Sequence, residues 1–319
     1  MNINPDQLKL TNIFMPYAMQ RLLNVTSNNT KFVHYTSAYS AMNILRSKEV
    51  WMRKTSCMND YMEVRHGLQC LQSAYHSQVG LKFRKTLDEL FSGCCNDVEK
   101  LFNGWAPNLE TDTYITCVSE HDSDEDILGR LSMWRAYSSG KGVALVLNNM
   151  PFVRVSDVLK AYTSPVAYID DRQFESLMAD ITQRIEGERD FLLAKGKETI
   201  VANVFHMMRF AVVCAKNPGF KEEREWRVLY TPSLESSGYL KREIESVNGV
   251  PEPVYKIPLK NIPEHDFNGI EIPELLDRVI IGPTQYGPAM FEAFATLLSE
   301  AGASEPQNRI FLSNIPLRT

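Results

Sequence analysis

Residues Gly142–Leu147 read GVALVL, a continuous apolar run that lies between turn signals. A short, valine-rich apolar run of this kind favours a buried strand over a helix. The preceding residues 127–138 (ILGRLSMWRAYS) predict a helix, which Gly140 can end with a positive φ. A helix followed directly by a buried strand is typical of a fold that mixes α and β elements.

The mixture extends outward from this stretch in both directions. The predicted strands are 32–36 (FVHYT), 50–55, 114–119 (YITCVS), Glu225–Tyr230 (EWRVLY), 254–257, 279–281 and Ile310–Leu312. The predicted helices are Ala38–Ser47, about 59–75, about 82–91, 170–194, 197–215 and 289–300. Because the elements follow no regular βαβ rhythm, we predict an α+β fold with a mixed central sheet rather than a doubly wound one.

Charge and composition limit the classes of function. The 319 residues carry 34 Lys+Arg and 39 Asp+Glu, a formal charge of −5, yet residues 1–66 hold eight bases and four acids. An acidic chain is a poor non-specific nucleic-acid binder, but a locally basic segment can still receive an anionic ligand. A hydrophobic content of 44% excludes wholesale disorder.

Cysteine spacing and apolar runs indicate the compartment. None of the six cysteines forms a C-x2-C pair, so no structural zinc site is predicted and reduced thiols are expected. The longest apolar run, 201–215, contains Asn203, His206 and Arg209 and is too short to span a bilayer. The first residues lack the pattern of a secretory signal. We therefore expect a cytoplasmic protein without membrane contact.

Common catalytic and nucleotide-binding motifs are missing from the sequence. It contains neither G-x-G-x-x-G nor G-x4-G-K-[ST], which argues against a Rossmann or P-loop site. It also lacks G-x-S-x-G and H-E-x-x-H, so serine-hydrolase and zincin chemistry receive no support.

Two polar clusters lie in the first quarter of the chain. His34-Tyr35-Thr36 ends a predicted strand, where side chains can meet a ligand, although Thr36 or Ser37 could simply cap the next helix. Asn59-Asp60-Tyr61-Met62-Glu63 has the three-residue spacing of a capping box between Asp60 and Glu63. The same residues could instead brace a ligand-binding loop.

Two further clusters lie later in the chain. Trp134 and Tyr137 are three residues apart on a predicted helix, so they either pack inward together or form an aromatic wall for a flat ring. In a continuous strand, Glu223, Glu225 and Arg227 would share one face. Neighbouring carboxylates are typical either of acid–base chemistry or of a solvated edge strand.

The ordered set of these pieces resembles a prokaryotic family of unknown function. Its pattern is H-Y-T, L-W-L, F-N-D-P-x-E, C-F-S, M-W-x-x-Y with a nearby glycine, and E-x-E-[WY]-R. The matching residues here are 34–36, 50–52, 57–63 (with Met58 and Tyr61 where the family has Phe and Pro), 116–119, 133–137 and 223–227. That family in turn resembles a distant branch of the ADP-ribosyltransferase superfamily, which includes toxins and phage-defence effectors.

This resemblance implies a fold, a reaction and a site. The expected fold is one domain over 1–319, similar to the split β-sandwich of ADP-ribosyltransferases, with a helical insertion at about 170–215. The expected activity is transfer of ADP-ribose from NAD, without a metal, to RNA or protein, with a neutralising antitoxin as a further partner. The implied catalytic residues are Glu225, Glu223 and His34. The implied NAD-binding residues are His34, Tyr35, Thr36, Arg53, Asn59, Asp60, Tyr61, Trp134 and Tyr137.

Within this resemblance each residue type has a chemical role. Cleavage of the nicotinamide–ribose bond passes through an oxocarbenium-like state, which a carboxylate near the ribose stabilises. Glu225 would act through the ribose 2′-hydroxyl, and Glu223 would orient or deprotonate the attacking group. His34 would bind a ribose, and Arg53 the pyrophosphate.

Two other functions are compatible with the same residues. In a metal-dependent nuclease, Asp60, Glu63, Glu223 and Glu225 would converge on Mg²⁺. In a non-catalytic binding module, the acidic loop 120–126 and the helices over 170–215 would recruit a partner.

Overall fold

The computed structural model describes residues 4–57, 62–137, 140–154, 157–247 and 249–316. The chain forms two compact units. Unit 1 comprises Met1–Leu23, Lys54–Thr113 and Ser164–Lys221, and unit 2 comprises Asn24–Arg53, Tyr114–Thr163 and Glu222–Thr319. Among the described helices, none combines the length and the apolar character needed to cross a membrane.

Helices and strands are numbered in chain order. The helices are α1 (Pro5–Phe14), α2 (Pro16–Ser27), α3 (Ala38–Ser47), α4 (Met62–His76), α5 (Gln78–Leu90), α6 (Cys94–Thr111), α7 (Leu131–Tyr137), α8 (Met150–Val153), α9 (Asp171–Gly187), α10 (Arg189–Lys195), α11 (Lys197–Val213), α12 (Ile272–Leu275) and α13 (Gly287–Glu300). The strands are β1 (Lys31–Ser37), β2 (Glu49–Lys54), β3 (Tyr114–His121), β4 (Gly142–Leu147), β5 (Tyr162–Pro165), β6 (Ala167–Tyr168), β7 (Ala215–Lys216), β8 (Glu225–Tyr230), β9 (Lys241–Val247), β10 (Val250–Pro258), β11 (Leu276–Ile281) and β12 (Ile310–Leu312).

Unit 1 is mainly helical. The two helical stretches predicted over 170–215 are confirmed as α9, α10 and α11, with Gly196 at φ +82° between the last two. A capping box between Asp170 and Gln173 starts α9. Helices α4 and α11 cross closely at Gly67, where a β-carbon would overlap the Val212 carbonyl group. The absence of a side chain at Gly67 therefore permits this contact.

Unit 2 is built on a mostly antiparallel sheet, which confirms the predicted α+β class. The main strand order is β12-β11-β4-β1-β3-β2-β10-β9, and β8 pairs with β3 outside this path. The β11–β12 pair is parallel, whereas β4 pairs antiparallel with both β1 and β11. The GVALVL strand β4 has its first five residues buried, as its apolar composition requires.

Strand β3 is where the sheet divides. Ser119 pairs with Val33 of β1 and with Glu225 of β8, so β1 and β8 lie on opposite edges of β3. Strand β8 pairs with Tyr114–Ser119 along one edge of β3. Strand β2 therefore pairs with β3 on the opposite edge, which also carries β1. The β1–β3 pairing extends only over Lys31, Phe32 and Val33. Strands β1 and β2 therefore lie along the same edge of β3, and they diverge where the β1 pairing ends at Val33.

Helix α7 packs on one face of this divided sheet. Its Met133 and Trp134 form a buried cluster with Val33, Tyr35 and Ala144. The helix begins at Leu131 rather than at residue 127 as predicted. The reason is Gly129, whose φ of +67° interrupts the preceding turn. A β-carbon there would also lie 2.6 Å from the Trp134 ring.

Candidate functional site

His34 lies where β1 leaves β3. Its Nδ1 atom is 2.9 Å from the Cys117 carbonyl oxygen of β3. Because a carbonyl oxygen only accepts hydrogen bonds, Nδ1 carries the proton in this contact. Burial lowers the pKa of His34 below 6.5, so the ring is neutral at pH 7. Its Nε2 makes no hydrogen bond with the described residues and is left as an acceptor.

The two residues after His34 have different environments. Tyr35 is buried, with its ring centroid 4.9 Å from that of Trp134 in an edge-on contact. Its hydroxyl accepts a hydrogen bond from the Arg130 backbone N–H at 2.8 Å, and burial raises the pKa of Tyr35 to about 12. Thr36 is half-buried, and Ser37 caps α3 by accepting from the Ser40 backbone N–H. The predicted capping role of this segment is confirmed.

The structure separates the two aromatic residues of α7. Trp134 is 1% exposed and donates from Nε1 to the Leu128 carbonyl oxygen at 2.8 Å. Tyr137, at the end of the helix, is 42% exposed. The two rings therefore do not form one aromatic wall, and Trp134 belongs to the core.

Glu225 and Arg227 form a buried ion pair at the start of β8. Arg227 Nε lies 2.8 Å and Nη2 lies 3.3 Å from the two carboxylate oxygens of Glu225. The side chains are 8% and 2% exposed, respectively. The prediction that these two residues share a face is confirmed.

The prediction that Glu223 shares this face is wrong. Glu223 ends a 3-10 turn, Pro218–Glu223, and β8 begins only at Glu225. Between them Arg224 has a φ of +45°, which breaks the alternation of a continuous strand. The two carboxylates therefore do not stand side by side on one strand.

The strand register also relates Glu225 to His34. Directly paired residues of antiparallel strands share a face, so Glu225, Ser119 and Val33 lie on the same face of the sheet. His34 follows Val33 and belongs to the opposite face, together with Phe32. Both residues are nevertheless attached to one short segment of β3, His34 through Cys117 and Glu225 through Ser119.

The face that carries His34 also holds a buried carboxylate that sequence reasoning missed. Glu120 accepts a hydrogen bond from Trp226 Nε1 at 2.7 Å, and both side chains are buried. The ring centroids of Trp226 and Phe32 are 5.3 Å apart, and Phe32 lies two residues before His34. The signal in the sequence was only a charged residue at the end of an apolar strand, which is typical of solvent exposure.

Arg130 is a second residue that sequence reasoning missed. Its Nε and Nη2 atoms bind both carboxylate oxygens of Glu125, at 2.8 and 2.9 Å. Its Nη2 also donates to the Glu120 carbonyl oxygen at 2.7 Å. Its Nη1 donates to the Glu222 and Glu223 carbonyl oxygens at 2.9 and 3.2 Å. One guanidinium therefore ties the end of β3 to the turn that precedes β8.

The acidic loop 120–126 is largely engaged within unit 2. Arg224 forms ion pairs with Asp122 and Glu125. Arg278 Nη1 lies 3.1 Å from Asp126 Oδ2. These contacts favour a structural role for the loop.

His121, at the end of β3, belongs to the same network. Its Nε2 is 2.9 Å from Asp126 Oδ1, while its buried Nδ1 makes no hydrogen bond among the described residues. Burial lowers the pKa of His121 below 6.5 and outweighs the opposite effects of Asp126 and Glu125.

Among the remaining predicted site residues, Arg53 is the one that the structure describes. Arg53 binds both carboxylate oxygens of Glu252, at 3.1 and 3.0 Å. Asn59, Asp60 and Tyr61 lie outside the described residues. Within the described part of the chain, no group of three or more His, Cys, Asp or Glu residues could hold a metal ion.

Comparison with protein families gives a match over part of the chain. Residues 133–228 match a family described as "Protein of unknown function (DUF2971)", a region that runs from α7 to β8. The match supports the predicted resemblance to an uncharacterised family, and the description of that family names no activity. No curated protein matches the chain. No solved structure matches it either.

Proposed function

We propose that the protein is an NAD-dependent ADP-ribosyltransferase. The observation that carries the proposal is the state of His34 at the division between β1 and β3. The Cys117 carbonyl oxygen holds the proton on Nδ1, and the lowered pKa keeps the ring neutral. Nε2 is therefore left as an acceptor, which suits a hydrogen bond from a ribose hydroxyl group.

Glu225 is the proposed catalytic carboxylate. Loss of nicotinamide leaves positive charge on the ribose, and a carboxylate held in place before the reaction stabilises that charge without reorganising. Arg227 holds the Glu225 carboxylate by two contacts and so fixes its orientation. In this proposal NAD binds beside the β3 segment that holds both residues, and His34 and Glu225, which lie on opposite faces of the sheet, contact different parts of the dinucleotide.

Glu223 is proposed to act on the attacking group. Its backbone carbonyl is fixed by Arg130, and its side chain is only partly buried, on a turn outside the strand. This position suits contact with an incoming acceptor better than contact with the ribose. We propose RNA or protein as the acceptor and, because such transfer harms the cell that makes the enzyme, a neutralising protein partner.

The direct test is incubation of the purified chain with labelled NAD and separated RNA, DNA and protein fractions. We expect label to enter the RNA or the protein fraction, and Glu225→Gln to abolish the transfer. Glu222→Gln is the matched control, because it makes the same chemical change at an exposed side chain three residues away. Circular dichroism checks that each variant is folded.

Two outcomes would argue against the proposal. Transfer at an unchanged rate in folded Glu225→Gln would remove Glu225 from the reaction. Nucleic-acid cleavage that stops in EDTA, with no release of nicotinamide from NAD, would favour the metal-dependent nuclease instead.

A further inference from the structure

Unit 1 contains a pocket of about 100 Å³ that the proposed transferase reaction does not use. Its floor consists of buried apolar side chains from α1, α4, α9 and α11. These are Phe14, Leu71, Phe174, Met178 and Met207. An apolar lining of this kind favours hydrocarbon over water when a ligand of suitable size is present.

The rim of the pocket is apolar as well, although it meets solvent. It includes Met15, Ala18, Leu177, Phe210 and Ala211, all of them only partly buried. Apolar surface in contact with water is unfavourable, and a hydrocarbon ligand would remove both the rim and the floor from water. The open rim therefore distinguishes this pocket from a closed packing defect.

The few polar groups in the lining are bonded to the backbone. The Tyr17 hydroxyl donates to the Val166 carbonyl oxygen at 3.1 Å, and Ser164 Oγ donates to the Pro165 carbonyl oxygen at 3.3 Å. None of the described residues that line the pocket is charged. The pocket therefore offers no partner for an ionic group of a ligand.

We propose that this pocket binds the short alkyl group of an uncharged molecule. Benzene fits a cavity of roughly 150 Å³, so a pocket of about 100 Å³ accommodates a chain of only a few carbons. Methionine side chains at three positions, Met15, Met178 and Met207, suit such a ligand because they adapt their shape to it. Any polar end of the molecule stays at the rim, in water.

The test uses the full chain labelled with ¹³C at the methionine methyl groups. Propan-1-ol, butan-1-ol and pentan-1-ol are titrated, and the NMR signals of Met15, Met178 and Met207 are followed. We expect saturable shifts, with affinity rising about fourfold per added methylene group until the pocket is full. Shifts that do not saturate, or that do not depend on chain length, would overturn the proposal.

A filled variant assigns the shifts to the pocket. Ala211→Leu occupies the space and should abolish them, whereas Ala179→Leu, on the exposed side of α9 and outside the lining, should leave them unchanged. Shifts that persist in folded Ala211→Leu would overturn the proposal. If Ala211→Leu does not fold, Ala18→Leu on the rim replaces it. If Ala211→Leu is more stable than the wild type and the wild type shows no saturable shifts, the pocket is a packing defect and the proposal is overturned.

Discussion

The His34 ring donates its Nδ1 proton to the Cys117 carbonyl oxygen at 2.9 Å, at the residue where β1 stops pairing with β3. A side chain thus replaces the backbone contact that a continuous sheet would have made. The same bond selects the tautomer of His34, so one interaction both closes the strand junction and prepares Nε2 as an acceptor.

The two nitrogens of His34 can be separated by substitution. Asn places an amide N–H near the position of Nδ1 but has no group at Nε2, so His34→Asn should keep the bond to Cys117 and lose affinity for NAD. His34→Ala should also lose the bond, at a cost of about 1 kcal/mol in unfolding free energy. Denaturant unfolding and calorimetric NAD titration measure the two effects. Equal NAD affinity in His34→Asn and the wild type would remove His34 from the ligand site.

The Glu225–Arg227 pair should appear as an energetic coupling. Removing one partner of a buried ion pair takes this contact away from a charge that stays buried, so Glu225→Ala is expected to cost about 3–5 kcal/mol. The double variant Glu225→Ala/Arg227→Ala should be less destabilised than the sum of the single variants, by about 1–3 kcal/mol. Urea unfolding of all four proteins gives this value. A coupling near zero would mean that the contact does not hold the carboxylate.

Continuous strands were the part of the fold most readily predicted from sequence. Strands β4 and β8 and helix α3 begin and end where their apolar patterns predict. Strand β9 was not predicted, because KREIESV is charged and largely exposed and becomes a strand only by pairing with β10. Helix α6 was missed because its sequence contains Gly104 and Pro107, which tertiary packing tolerates.

The candidate site was harder to predict than the strands. Strand alternation placed Glu225 and Arg227 correctly, but the single positive φ at Arg224 removed Glu223 from the same face. Because positive φ is uncommon for residues other than glycine, the sequence does not predict it at Arg224. The contacts of Arg130 join the end of β3 to the turn before β8, which are about 100 positions apart in the chain. Local patterns carry no information on such contacts.

Acid should destabilise the protein through His34 and His121. Both have a folded-state pKa below 6.5, so the unfolded chain binds more protons as the pH falls below that value. The unfolding free energy should therefore decrease as the pH falls below 6.5. Above pH 6.5 these two histidines should contribute little to its pH dependence. His121→Gln keeps a donor for Asp126 and cannot be protonated, so its loss of stability between pH 6.5 and 5 should be smaller. A pH series of urea unfolding curves tests this, and parallel curves for wild type and variant would contradict it.

Replacing Gly129, in the turn before α7, is expected to destabilise the protein. Alanine there would have to adopt a φ of +67° and place its β-carbon 2.6 Å from the Trp134 ring, whose indole is fixed by the Leu128 carbonyl. Either the backbone or the buried ring must shift, and we expect Gly129→Ala to cost about 1–3 kcal/mol. The matched control is Gly238→Ala, because a β-carbon at Gly238 meets nothing within 4 Å. Thermal unfolding with tryptophan fluorescence compares the two, and equal melting temperatures would show that the loop relaxes without disturbing Trp134.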